Sequence, residues 1–283
     1  MIKPTIFAPF VFAAILMSAG SNVIAQPVTV NPPIPSDNAA YADVADLVTI
    51  APMIIDAKVR KVTKVPPEQA EGVPANLQRT VIDADVIALI RGQDGVASQI
   101  RLTLDIPKDA RGKIANLKKQ RLFFLGSAVP GRPGTLRLAR PDALITYSPA
   151  NDALLRAITK EAVMLDAPQK ITGITSAFYS AGTVIGEGDS QIFLRTENGQ
   201  PFSLSVTSRQ GQSKKWSVST SELIEENAST PKKFTLLWYR LACGLPKQLP
   251  PELVQSSDAE GAARVQADYN YVVGALGSCG RQR

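Results

Sequence analysis

Serine motifs, paired carboxylates and two cysteines are the side chains that could carry chemistry here. Ser229-Thr230-Pro231-Lys232 matches S-x-x-K, and Ser36-Asp37-Asn38 matches S-D-N, both elements of serine-lysine hydrolases. In that family S-x-x-K comes first and K-T-G last. Here S-D-N precedes S-x-x-K, K-T-G is missing, and Pro231 works against the helical turn that would aim Lys232 at Ser229. Both matches read as chance. The chain has no histidine, which closes Ser-His-Asp and Cys-His catalysis and any zinc site built on imidazole.

Carboxylates remain. Asp83 and Asp85 alternate along an expected strand and so face one side together; Glu225 and Glu226 sit on an expected short helix. A glycosidase needs two such groups roughly 5–10 Å apart across a cleft. Exposed polar positions on half-buried elements account for these four more simply. Glu187 and Asp189 in the GEGD turn offer oxygen ligands for calcium but lack the full acidic loop, so a plain turn is expected. Gly182-Thr-Val-Ile-Gly186-Glu-Gly188 has neither the ending nor the spacing of a phosphate loop. No catalytic residue, metal site or cofactor is assigned on this basis.

Binding without chemistry is the third possibility. Phe123, Phe124, Trp216, Trp238 and Tyr239 are the large apolar side chains that would anchor a binding surface if exposed. Trp238 and Tyr239 are expected in the core. Trp216 follows Lys214 and Lys215, and these three residues form the expected binding surface.

The positioning elements follow from period and punctuation. Ser36 or Asp37 could cap a short helix over Tyr41–Val48, where Val44, Leu47 and Val48 share a face. Strands are expected at Met53–Val62, Val81–Ile90, Ile100–Ile106, Arg121–Leu125, Thr135–Leu138 and Ala143–Tyr147, and a helix opens at Pro149. In the second half, Ile171–Ser180, Gln191–Thr196, Phe202–Thr207 and Lys215–Ser219 read as strands, with Asn198-Gly199 favouring a tight hairpin turn. Ser219 and Glu222 match a capping box. Phe234–Leu241 is the most aromatic and apolar stretch after the leader, and Asp258–Leu276 reads as a closing helix.

The runs ADLVTIAPMIIDAKVRKV, TVIDADVIALIRG, QIRLTLDIP and QRLFFLGSA resemble OB-fold domains of exported bacterial proteins, with the distant layout of netrin and tissue-inhibitor-of-metalloprotease modules. Ala57-Lys58-Val59, Leu89-Ile90-Arg91-Gly92 and Arg121–Leu125 carry the resemblance, which spans residues 43–147. It implies a small barrel. The inhibitors act through a cysteine at the mature N-terminus, which this chain lacks, so that mechanism does not transfer. ITSAFYSAGTVIGEGDSQIFL with TLLWYRLACGLP resembles a family of exported bacterial proteins, and this resemblance implies no mechanism.

Export is the firmest expectation. Lys3 is the only charge before Asp37, Ile6–Met17 is apolar apart from Pro9, and Val23-Ile24-Ala25 fits a small-residue cleavage site. Residues 1–25 are therefore expected to be a signal peptide. Its apolar core is too short for the roughly 20 residues a membrane span requires, and the mature chain offers no other span. Loss of Lys3 leaves the mature chain one charge below the full chain's +6, with basic residues scattered along it. Nucleic acid is not an expected partner. In an exported chain, Cys243 and Cys279 read as a disulfide, with two buried thiols as the alternative.

The expected fold is α+β: an N-terminal OB-like antiparallel β-barrel followed by an α+β domain with a smaller sheet and a C-terminal helix. A proline-rich leader at 26–40 precedes a barrel domain with a closing helix at 41–167, and the second domain covers 168–283. The expected role is a periplasmic, non-enzymatic protein binding a protein or envelope component. A hydrolase of envelope glycan or peptide, using carboxylates or a Ser-Lys pair, is the alternative, and a structural stabiliser of the envelope is a third class.

Overall fold

The computed structural model describes residues 38–220, 230–256 and 258–282. The signal peptide, Ser36, Asp37, Glu222, Glu225, Glu226 and Ser229 lie outside the described residues. The first helix, α1 (Tyr41–Ile50), begins at Ala40 with no side-chain cap. It buries Tyr41, Ala42, Asp43, Val44, Ala45, Leu47 and Val48. A helix buried around so much of its circumference belongs inside a core rather than on its surface. The sequence reading of a single apolar face therefore understates it.

Six strands follow: β1 (Met53–Lys64), β2 (Leu77–Arg91), β3 (Gln99–Pro107), β4 (Arg121–Ala128), β5 (Leu136–Leu138) and β6 (Leu144–Thr146). They form one sheet in the order β3-β2-β1-β4-β5, with β6 also pairing with β4. The sheet nearly closes on itself. Arg101 N on β3 donates to Gly134 O at 2.8 Å, and Arg101 and Thr135 form a parallel bridge next to β5. Register shifts along β1 break its alternation, so that Ile54, Ile55, Asp56 and Ala57 are buried in succession. Gly126 on β4 allows β5 to approach, because a Cβ there would stand 2.1 Å from Arg137 O.

The barrel interior is filled by Ile55, Val59, Ile82, Ile100, Leu102, Leu104, Ile106, Leu122, Phe124 and Leu144. The intervening residues of β4, Phe123 and Leu125, belong instead to a second core with Ile54, Ile145 and the residues of α1. Both faces of β4 are thus covered, which explains the unbroken apolar run RLFFL.

The helix α2 (Pro149–Ala162) starts with Ser148 accepting from Asn151 N at 3.1 Å and Pro149 in its first turn. Asn151 accepts from Ala39 N at 2.8 Å and donates to Thr146 O at 2.9 Å, joining the start of α1 to β6. Beyond it, β7 (Ile171–Ala181), β8 (Gly188–Thr196), β9 (Phe202–Ser208) and β10 (Lys215–Ser219) make a four-stranded antiparallel sheet in the order β10-β9-β8-β7. Asn198-Gly199 turns between β8 and β9, with Gly199 at φ +76°. Ile174, Ala177, Ile192, Leu194, Leu204, Val206, Trp216 and Val218 join the same second core as α1. That core also takes residues of α3 (Leu236–Gly244) and α4 (Ala259–Leu276), so it runs across the expected boundary at 167/168. No helix among the described residues is long and apolar enough to cross a membrane.

The stretch Phe234–Leu241 enters α3, whose first turn is capped by Thr235 accepting from Trp238 N at 3.3 Å. Asp258 caps α4 by accepting from Gly261 N at 2.6 Å. After α4 the chain doubles back. Cys243 on α3 and Cys279 form the expected disulfide, with Cα atoms 5.0 Å apart. Trp238 Nε1 donates to Leu276 O at 3.0 Å beside it.

Two stability outcomes follow from this packing. Replacing both Cys243 and Cys279 by serine should lower unfolding free energy by about 3–4 kcal/mol in denaturant titration. The Tyr41 hydroxyl is buried without a hydrogen-bond partner among the described residues, so Tyr41→Phe should raise stability by about 1 kcal/mol in the same assay.

Candidate functional site

The sequence-derived surface does not survive folding. Alternation along β10 turns Trp216 and Val218 inward and Lys215 and Ser217 outward, leaving Trp216 only 8% exposed. Lys214 is committed to the buried carboxylate of Asp268 on α4, which also accepts from Ser190 Oγ at 2.6 Å. Lys214, Lys215 and Trp216 do line one shallow depression with Tyr271, but the ring expected to anchor it is part of the core. Phe123, Phe124 and Trp238 are buried as well. The exposed aromatic rings include Phe193, Phe234 and Tyr271.

The paired carboxylates of the barrel are also accounted for. Asp83 and Asp85 do face the same way, but into a cross-strand ladder of charge. The register sets Asp83 between Lys61 and Arg101, and Asp85 between Lys58 and Gln99. Arg101 Nε donates to Asp83 at 2.7 Å, and Arg60 Nε stands 3.6 Å from Asp85. The hydrogen bond from Arg101 holds the Asp83 carboxyl below the usual range of an aspartate, with burial opposing. A carboxyl held in its ionised form is a poor proton donor. Glu187 accepts from Gln210 N at 2.8 Å and Asp189 from Arg209 at 3.0 Å, so both serve the loops at the end of the second sheet. The loop Gly182–Gly188 joins two antiparallel strands, whereas a phosphate loop leads from strand into helix. Lys232 is exposed in the turn before α3, where Thr235 Oγ1 donates to its carbonyl at 2.7 Å.

A different group of residues comes together where α1, α3, the start of β7, the β5–β6 turn and the C-terminal tail meet. They enclose an open cleft of about 480 Å³. From α1 come Asp46 and Thr49, from α3 Tyr239, Arg240 and Gly244, from the turn Arg140, and from the strand approach Lys170. Arg281 reaches in from the tail, placed there by the disulfide two residues earlier. α3 lies close to β7 at this point: a Cβ on Gly244 would stand 3.2 Å from that of Ile171.

Asp46 is the one acid among the lining residues, and both of its carboxylate oxygens are engaged. Arg281 grips it with two hydrogen bonds of 2.6 and 2.8 Å, and Tyr239 Oη donates to it at 2.5 Å. Burial, then the bond to Asp46, pushes the Tyr239 hydroxyl up to about 12, so it keeps its proton. Gln282 N donates to Asp43 at 3.0 Å and completes the strap across α1. Arg140 is likewise paired, with bonds of 3.0 and 2.6 Å to Asp142. Those bonds raise the pKa of Arg140 and Arg281 above the ordinary arginine value.

Arg240 behaves differently. Its Nε donates to Pro168 O at 3.1 Å and its guanidinium sits 5.5 Å from the Tyr239 ring centroid. The ion pairs around the cleft are Arg140–Asp142, Lys170–Glu197 and Arg281–Asp46. Arg240 takes part in none among the described residues, and burial lowers its pKa. The cleft therefore combines four cationic side chains with one neutralised carboxylate. That arrangement suits holding negative charge, and it supplies neither a free base nor an activated nucleophile. Sequence reasoning missed Asp46, Arg140, Arg240 and Arg281. The available signals were Asp46 in the apolar α1 segment, a lone arginine within FTLLWYRL, and an arginine two residues after a cysteine.

The ladder on the barrel has a pH signature. Because the folded carboxyl of Asp83 titrates below its unfolded value, its stabilising contribution is present above about pH 4 and fades as pH falls through the lowered value. Asp83→Asn should cost roughly 0.5–1 kcal/mol at pH 7, Arg101 being largely exposed. The deficit should shrink towards pH 3 in parallel unfolding titrations of the two proteins. Comparison of the chain with protein-family models and with curated proteins gives no match.

Proposed function

We propose that this is an exported, non-enzymatic protein of the bacterial cell envelope that binds a protein or envelope component through the junction cleft. One observation carries the reading: the cleft gathers four cations from four separate segments while its own acid is already neutralised. A site of that composition can hold a partner but cannot easily transfer a proton to it. Export is supported by the order of Lys3, the apolar stretch and Val23-Ile24-Ala25, and by the disulfide, a bond that persists in oxidising compartments.

The OB-like reading of the barrel belongs to the same proposal. Support comes from a five-strand circuit in which β1 pairs with β2 and β4, β2 with β3, and β3 meets the approach to β5 in parallel. The segment between β3 and β4 holds no helix. In this reading the barrel serves as a scaffold, because its interior is filled by its own side chains.

The test is chemical crosslinking in whole cells, followed by recovery with an antibody against the mature protein, since a C-terminal tag would disturb the tail. The protein should be recovered from the periplasmic fraction with Gln26 as its first residue. One envelope component should be enriched reproducibly and lost when Arg140 and Arg240 are both replaced by glutamine. Recovery of the protein alone would refute the binding role.

A further inference from the structure

We infer that the junction cleft is an oxyanion site, taking a phosphate or carboxylate group against the guanidinium of Arg240. This deepens the proposed binding role and rests on it. A guanidinium taken partly out of water loses hydration that an acid would ordinarily replace. Arg140 and Arg281 have such acids in bidentate contact. Arg240 has a backbone carbonyl on Nε and a neighbouring tyrosine ring, and no acid among the described residues pairs with it directly, Glu197 and Asp46 acting on it only at longer range. Its position is nonetheless fixed: α3 carries it, the bond to Pro168 O restrains it, and Tyr239 beside it is anchored to Asp46.

The neighbouring side chains add selectivity. Lys170 lies on the same cleft and is held only by a loose, exposed contact of 3.6 Å to Glu197, so it is free to swing towards an anion. Arg140 and Arg281 contribute positive potential, but each has its Nε–Nη2 edge and most of its charge committed to an aspartate. Arg240 supplies the fork that matches two oxygens of a phosphate or carboxylate, and Lys170 supplies a point charge. Simple monovalent halides would gain the charge but not the paired hydrogen bonds. The cleft is open and of modest volume, which fits a charged group at the end or edge of a larger molecule rather than a fully enclosed metabolite.

The experiment is calorimetric titration of the mature chain with inorganic phosphate and, separately, with acetate, at constant ionic strength set by sodium chloride. A third arm uses sedimentation with vesicles of phosphatidylglycerol, with neutral phosphatidylcholine vesicles as control. Saturable binding of phosphate or acetate is expected. Arg240→Gln should weaken it by about tenfold to a hundredfold, and Lys170→Gln by less. Arg240→Lys keeps the charge without the fork and should recover part of the affinity, provided its circular dichroism matches that of the native chain. Arg132→Gln, on the exposed turn before β5, should leave affinity unchanged. Vesicle binding that depends on Arg240 identifies a lipid headgroup as the source of the phosphate, whereas binding of the free ion alone points to a soluble ligand. Absence of saturable binding by the native chain, or equal binding by Arg240→Gln, overturns the oxyanion site. Neither result touches the broader binding role, which fails separately if crosslinking recovers the protein alone.

Discussion

Burial of α1 from nearly every direction sets the terms for the rest of the molecule. The helix has β1 and β4 on one side, α2 alongside, and α3 with the second sheet's core beyond. Removing it would expose Phe123 and Leu125 on the outside of the barrel as well as part of the core that covers the second sheet. Neither sheet reaches a complete apolar enclosure without it. Alanines at positions 42, 45 and 51 are buried in that core and add little bulk to the helix surface. Asp43 and Asp46 interrupt the apolar surface along the helix, and both are met by the C-terminal tail.

That arrangement explains why the two halves of the chain differ in legibility. β3 alternates cleanly, with Ile100, Leu102, Leu104 and Ile106 buried, because one face meets the barrel interior and the other meets water. RLFFL was recognisable as a buried strand because both of its faces are covered. Phe234–Leu241 carries no period that separates helix from strand, and Thr235, which caps the helix, lacks the glutamate three residues on that marks a capping box. Trp216 misled for a related reason. Lysines on its N-terminal side suggest an exposed surface, yet parity within a five-residue strand decides which way the ring points.

The cleft was the least legible feature. Its residues come from positions 46, 140, 170, 239–240 and 281, and no local pattern ties them together. Charge adds nothing in sequence, because an arginine committed to an aspartate reads the same as one that is not. Arg121 illustrates the first kind: it holds the fully buried Asp56 with bonds of 2.9 and 2.6 Å and stacks 3.5 Å from the Tyr147 ring centroid. Arg240 illustrates the second. Only three-dimensional accounting of acids separates structural arginines from one left available.

The strap formed by Cys279, Arg281 and Gln282 also has a meaning in time. A polypeptide is made from its N-terminus, so α1 is complete long before the residues that close over it exist. Arg281 lies 235 positions from Asp46, among the longest reaches the chain contains. Until Cys279 and Arg281 have been added, the cleft lacks one wall and the disulfide lacks one sulfur. The barrel can gather from near-neighbour hairpins, but the junction is sealed only once residues 279–282 have been added. A chain interrupted just before Cys279 would therefore carry nearly all of the fold but a cleft without its disulfide or Arg281.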